Sequence, residues 1–224
     1  MTIIDLSNHK LYTSTLRPMA DVRCAILHTT GYGPGLERLD KLALAGKVED
    51  VGEAFAVRQV RILKYRPHYL VGRDGKIFQL MPHNTRAPHT GSGNMASMKA
   101  WPIVNAKGSK VNKPAWEGLF TTHHRVYGCP ADLPVWPSPN AASIGVDLLE
   151  SPSHTYPDAQ LDGLVELLVL LHHAFPKIVP ASTFTHSMVD PIDRTNSAGR
   201  AYDLSLSFDL QGVLNEVARR LEGV

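Results

Sequence analysis

Val22-Arg-Cys-Ala-Ile-Leu-His28 is a compact apolar run that stops at Thr29-Thr30-Gly31-Tyr32-Gly33-Pro34-Gly35. A short apolar run bounded by a glycine- and proline-rich turn is the pattern of a strand covered on both faces. Such strands belong to sheets with helices on either side, so the expected class is α/β: a single domain, with a mixed central β-sheet flanked by helices. The same run leaves His28 at the C-terminal mouth of its strand. Binding sites in α/β sheets tend to lie at such mouths, where the chain leaves the sheet and side chains become accessible.

The clearest second strand is Ala142-Ser-Ile-Gly-Val-Asp147-Leu-Leu149. Alternation puts Ala142, Ile144, Val146 and Leu148 on one face and Ser143, Gly145, Asp147 and Leu149 on the other. Asp147 is thus a carboxylate in the middle of an apolar strand, beside a glycine that leaves room for something, and a charge there needs a partner, a metal or a cleft. His68-Tyr-Leu-Val-Gly-Arg-Asp74-Gly75-Lys-Ile-Phe-Gln-Leu80 reads as a hairpin around an Asp-Gly turn. Helical spacing marks Leu36, Leu39, Leu42 and Ala43, ended by Gly46, and less tidily a segment from about Val51 to Lys64. Pro157 and Asp158 open the best helix, with Leu161, Leu164, Val165, Leu168, Leu171 and Phe175 at i, i+3, i+4 spacing. Asp209 reads as the N-cap of a last helix carrying Leu210, Val213, Leu214, Val217 and Leu221. Residues 1–20 are mixed and polar and read as an N-terminal arm, with one domain over 21–224.

The chain has 224 residues, enough for one large domain; 43% are apolar and 20% charged, within the globular range. A formal charge of +2 is too slight to argue for nucleic acid. No apolar run approaches the length of a membrane span, so no membrane partner is expected. Met1-Thr-Ile-Ile-Asp-Leu-Ser-Asn8 lacks the basic start and apolar centre of a secretory signal, which points to synthesis in the cytoplasm and to release by lysis or another export route. Cys24 and Cys129 stand far apart in unlike contexts, which excludes a disulfide framework and a cysteine zinc cluster.

Thr183-Phe-Thr-His186-Ser-Met-Val-Asp190-Pro-Ile-Asp193-Arg194-Thr-Asn196 places a histidine at the end of a short β-branched run. The irregular, Asp- and Asn-rich segment after it could curl back over that histidine, a turn able to present a metal site. From about His83 to Asn140 the chain has little periodicity and carries Trp101, Trp116, Trp136 and the pair His123-His124. A loop of this length is either a surface insertion or a substrate-binding wall.

Taken in order, His28 at a strand end, the hairpin, Pro88-His89-Thr-Gly91, Asn140 ahead of Ser143-Ile-Gly-Val-Asp147, and His186 with Arg194-Thr-Asn196 resemble the zinc-dependent N-acetylmuramoyl-L-alanine amidases. These are relatives of the peptidoglycan recognition proteins. Leu27-His28-Thr-Thr looks like the segment bearing that family's first zinc ligand, and Thr185-His186-Ser resembles the Gly-His-Ser of its second. Pro88-His89-Thr-Gly is similar to a Trp-His-Ala-Gly element at the groove. Asn140 with Ser143-Ile-Gly-Val-Asp147 is similar to Asn-x-x-Ser-Ile-Gly-Ile-Glu. The insertion at about 92–139 falls outside the resemblance.

The resemblance implies a monomer acting on peptidoglycan or muropeptides with Zn2+ as cofactor. Its metal ligands would be His28, His186 and Asn196, its catalytic residues Asp147 and Arg194, its substrate-binding residues His89 and Asn140. Asp147 stands where the family has a glutamate base, one methylene shorter, and Pro67 where some members have a tyrosine. Asn196 replaces an Asp or Cys ligand and is a neutral, weaker oxygen donor, so Asp190 or Asp193 is an alternative third ligand. A non-catalytic peptidoglycan-binding module with a degenerate metal site is the competing reading, and a merely architectural likeness a third.

Overall fold

The run from Cys24 to His28 is buried throughout and forms β2 (Cys24–Thr29), an inner strand next to one edge of a six-stranded sheet. This structure, a computed structural model, describes residues 2–8, 15–62, 66–90, 139–189, 204 and 208–223. β2 pairs in parallel along its whole length with β5 (Ser143–Leu148), and on its other side with β6 (Thr183–Thr185). β5 pairs in parallel with β3 (Tyr69–Val71), which pairs antiparallel with β4 (Ile77–Gln79). β1 (Ile3–Asp5) lies parallel to β4, so the order is β1-β4-β3-β5-β2-β6 and the sheet is mixed. All six residues of β5 are buried, as a strand covered on both faces requires.

Alternation along the strands divides the core in two. Tyr69, Val71, Ile77, Ile144, Val146 and Leu148 join the cluster that includes α4 (Asp158–Ala174) and α6 (Leu210–Leu221). Leu70, Phe78 and Leu80 join Leu36 of α1 (Pro34–Leu44) and Phe55, Ala56 and Val60 of α2 (Val51–Ile62). The remaining described helices, α3 (Pro139–Ala142) and α5 (His186–Val189), are single turns that lead into β5 and out of β6. Among the described residues no helix is long and apolar enough to cross a membrane.

Several local details follow from residue chemistry. The hairpin closes through Gly72 N–H to the Lys76 carbonyl, with Gly75 at φ +82°, so its loop has three residues and ends in the left-handed position that glycine accepts. That loop packs on α4 glycine to glycine, since a Cβ on Gly163 would stand 2.5 Å from the Gly75 carbonyl oxygen. Gln160, fully buried in α4, donates to the carbonyls of Val71 and Leu149 at the ends of β3 and β5. α2 is expected to run to about Lys64; it is described as far as Ile62, and 63–65 lie outside the described residues.

Of residues 1–20, expected as an arm, the described ones include a strand of the sheet. Ile3 and Ile4, both half-buried, pack on the two core clusters, one on each face of the sheet, as β1. Arg17, 6% exposed, is a second tether. Its guanidinium donates to the carbonyls of His83, Asn140, Ala141 and Ser143, at 2.6–3.2 Å.

Candidate functional site

Parallel pairing of β5, β2 and β6 brings three distant residues together. His28 is the Cα partner of Asp147, and Leu27 is the partner of Thr185, which His186 follows directly. Neighbours in parallel register project to the same face, so His28 and Asp147 lie side by side. The rings of His28 and His186 meet edge to face with centroids 4.4 Å apart. All three side chains are buried, at 1% exposure or less. The two histidines named as metal ligands by the family resemblance thus lie in contact at the ends of neighbouring strands.

His89, expected as a substrate-binding residue, is a fourth member of the cluster. It is fully buried, with Nδ1 2.9 Å from His28 Nε2 and Nε2 2.9 Å from Ser143 Oγ. The space left by Gly145 is filled by this ring: a Cβ there would stand 2.4 Å from His89 Cγ. Asn140 is likewise occupied by the chain rather than turned to a groove. Its Oδ1 accepts from the N–H groups of His89 and Thr90 and from Thr90 Oγ1, and its Nδ2 donates to the Thr90 carbonyl at 2.7 Å.

Beneath His89 lies His68, also fully buried, with ring centroids 5.9 Å apart. His68 Nδ1 accepts the Gly145 N–H, and its Nε2 lies 3.1 Å from the Thr85 carbonyl and 3.0 Å from the Arg17 guanidinium. Burial, reinforced by the charges of Arg17 and His89, pushes the His68 pKa well below 6.5. Burial does the same to His89, followed by His186 and Arg17. The Arg17 guanidinium itself is lowered to about 10 by burial. Both histidines are therefore neutral imidazoles at pH 7, the form that accepts hydrogen bonds.

Two buried imidazoles in contact beside a carboxylate are a donor set that suits a divalent ion of the zinc type. His89 does not complete it, because both its ring nitrogens are already engaged. Among the described residues no group of three His, Cys, Asp or Glu side chains is placed to hold a metal. Asn196, Asp190 and Asp193, the third donors expected from the sequence, lie outside the described residues, as does Arg194. So do Trp101, Trp116 and Trp136. A cavity of about 730 Å³ between the start of α2, the β3–β4 hairpin and Leu149 is lined by none of the four site residues.

Arg17, His68, Ser143 and Gly145 are the residues that sequence reasoning did not assign to the site. Ser143 and Gly145 had a signal, since they alternate with Asp147 on one strand face. Arg17 had none, because the groups it binds are backbone carbonyls far along the chain.

The fold agrees with a match to known proteins. A sequence profile of N-acetylmuramoyl-L-alanine amidases matches residues 18–200, and the chain belongs to that family. A selenomethionine derivative of AmpD shares 20% identity over 96% of this chain and 93% of its own, with a TM-score of 0.51, which shows a common fold. The N-acetylmuramoyl-L-alanine amidase LysC from Clostridium intestinale is similar at 13% identity, 97% and 98% coverage and a TM-score of 0.47. The Ph2119 endolysin of a Thermus scotoductus bacteriophage gives 14%, 96%, 99% and 0.46. No curated protein sequence matches the chain significantly.

Proposed function

We propose that the protein is a zinc-dependent peptidoglycan amidase that hydrolyses the amide between the lactyl group of N-acetylmuramic acid and L-alanine of the stem peptide. The observation that carries this reading is the lateral adjacency of His28, Asp147 and His186 across three parallel strands. Family membership supplies the reaction class. His28 and His186 would hold the ion, with Asn196 or an aspartate of 190–193 as third donor. When bound, zinc supplies a Lewis acid that polarises the amide carbonyl and makes water more acidic.

The chain's own groups do the rest. Asp147 takes a proton from the attacking water and delivers it to the leaving nitrogen, so that water adds across the amide, the C–N bond breaks, and a lactyl carboxylate and a free L-alanine amine result. Arg194 neutralises the oxyanion that develops on the carbonyl oxygen. Burial of His28, Asp147 and His186 holds their geometry before substrate arrives, which lowers the cost of orientation. Residues 92–139 are assigned as an insertion of the amidase domain, and the protein as a monomer reaching the wall after lysis or export.

Asn196, a neutral residue where the resemblance implies an anionic ligand, favours one second reading, a peptidoglycan-binding module without turnover. Mass spectrometry of purified peptidoglycan treated with zinc-loaded protein separates the two. Stem peptides with free L-alanine N-termini, abolished by a chelator, are expected; intact wall that still retains the protein would mean binding alone.

A further inference from the structure

We propose that His89 is a positioning residue for His28: it holds Nε2, so that Nδ1 is the nitrogen offered to a divalent metal. The inference rests on the zinc reading above and assigns His89 a role other than substrate binding.

Ser143, Gly145 and Asp147 share one face of β5, and Asp147 is paired with His28. The His89 ring lies across Gly145 between Ser143 and His28, at 2.9 Å from each partner. Its backbone is fixed separately, by the Asn140 carboxamide. A ring held by its backbone, by a glycine slot and by Ser143 has little freedom, and it passes that restriction to the ring bonded to it.

The tautomers then follow. A neutral imidazole carries one proton and one nitrogen lone pair, so metal binding through Nδ1 of His28 requires the proton on Nε2, and that N–H needs an acceptor. His89 Nδ1 is that acceptor, which places the proton of His89 on Nε2, donating to Ser143 Oγ. With a metal on Nδ1 of His28, one sequence of protons satisfies the chain from His28 to Ser143; without it, the reverse sequence, from the Ser143 hydroxyl through His89 to Nε2 of His28, satisfies it as well. Binding through Nε2 of His28 would instead break the 2.9 Å contact.

The test is zinc affinity by competition with a chromophoric chelator, for the parent protein, His89→Ala, His89→Gln and Gly145→Ala. His89→Ala is expected to bind zinc about 10–100-fold more weakly. His89→Gln, whose amide oxygen can still accept from His28, is expected to recover most of that loss. Gly145→Ala, whose Cβ evicts the ring, is expected to reproduce it. Long-range 1H–15N NMR of the zinc-loaded parent gives a readout that needs no variant to fold: Nδ1 of His28 metallated and Nε2 protonated is expected. Zinc on Nε2 of His28, or parent-like affinity in His89→Ala, would overturn the proposal while leaving the zinc reading intact. A parent that binds no zinc would overturn both.

Discussion

In the proposed mechanism Asp147 is the base, and it is a fully buried carboxylate one strand away from His28. Asp147→Asn keeps the volume but removes the base, and is expected to lower the rate of muropeptide cleavage about 10²- to 10⁴-fold while zinc remains bound. Cleavage at the parental rate would remove Asp147 from the mechanism. His68 tests the buried polar layer instead. Its folded pKa lies well below the ordinary 6.5 of the unfolded chain. Below about pH 6.5 the unfolded chain therefore binds more protons than the folded one. The stability that neutral His68 contributes is complete above that pH and is lost as the pH falls toward the folded pKa. Urea unfolding between pH 7.5 and 5 is expected to show stability declining by up to about 1.4 kcal/mol per pH unit from this group, less steeply in His68→Gln.

The elements show which parts of the fold the sequence made legible. β2, β5, α4 and α6 were readable because each carries an apolar run or a repeating apolar stripe, although β2 begins at Cys24 rather than Val22 and β5 spans Ser143–Leu148, with Ala142 in α3. Asp209 caps α6 as expected, accepting the Gly212 N–H at 2.8 Å. Asp209→Ala is expected to cost about 1 kcal/mol in thermal or urea unfolding. β1 was not legible, because three residues of a parallel edge strand have no periodicity of their own and owe their conformation to β4. Arg17 was hidden for a related reason, since nothing in a lone arginine marks four distant carbonyls. Arg17→Met leaves those carbonyls without their charged donor and is expected to destabilise the fold by about 3 kcal/mol, with equilibrium unfolding as the measurement. Such an effect would show the N-terminal segment to be part of the domain; an unchanged midpoint would show it to be dispensable.

Across the whole molecule the site is a product of topology. His28, Asp147 and His186 are spread along most of the chain, and no local motif contains two of them. Helical crossovers allow their strands to run parallel, and the register then sets the three residues side by side at the C-terminal ends. Sequence motifs in the right order could indicate these residues, but not that β2 lies between β5 and β6 or that His89 fills the space over Gly145. The segment expected to complete the site, 190–196, begins four residues after His186, so the metal test bears on it as well. The most direct measurement is zinc content of the purified protein beside His28→Ala and His186→Ala, with folding of each variant checked by circular dichroism. One zinc per parent chain, lost in both folded variants, is the predicted result. Zinc retained at parental stoichiometry in His186→Ala, or absent from the zinc-saturated parent after dialysis, would contradict the account.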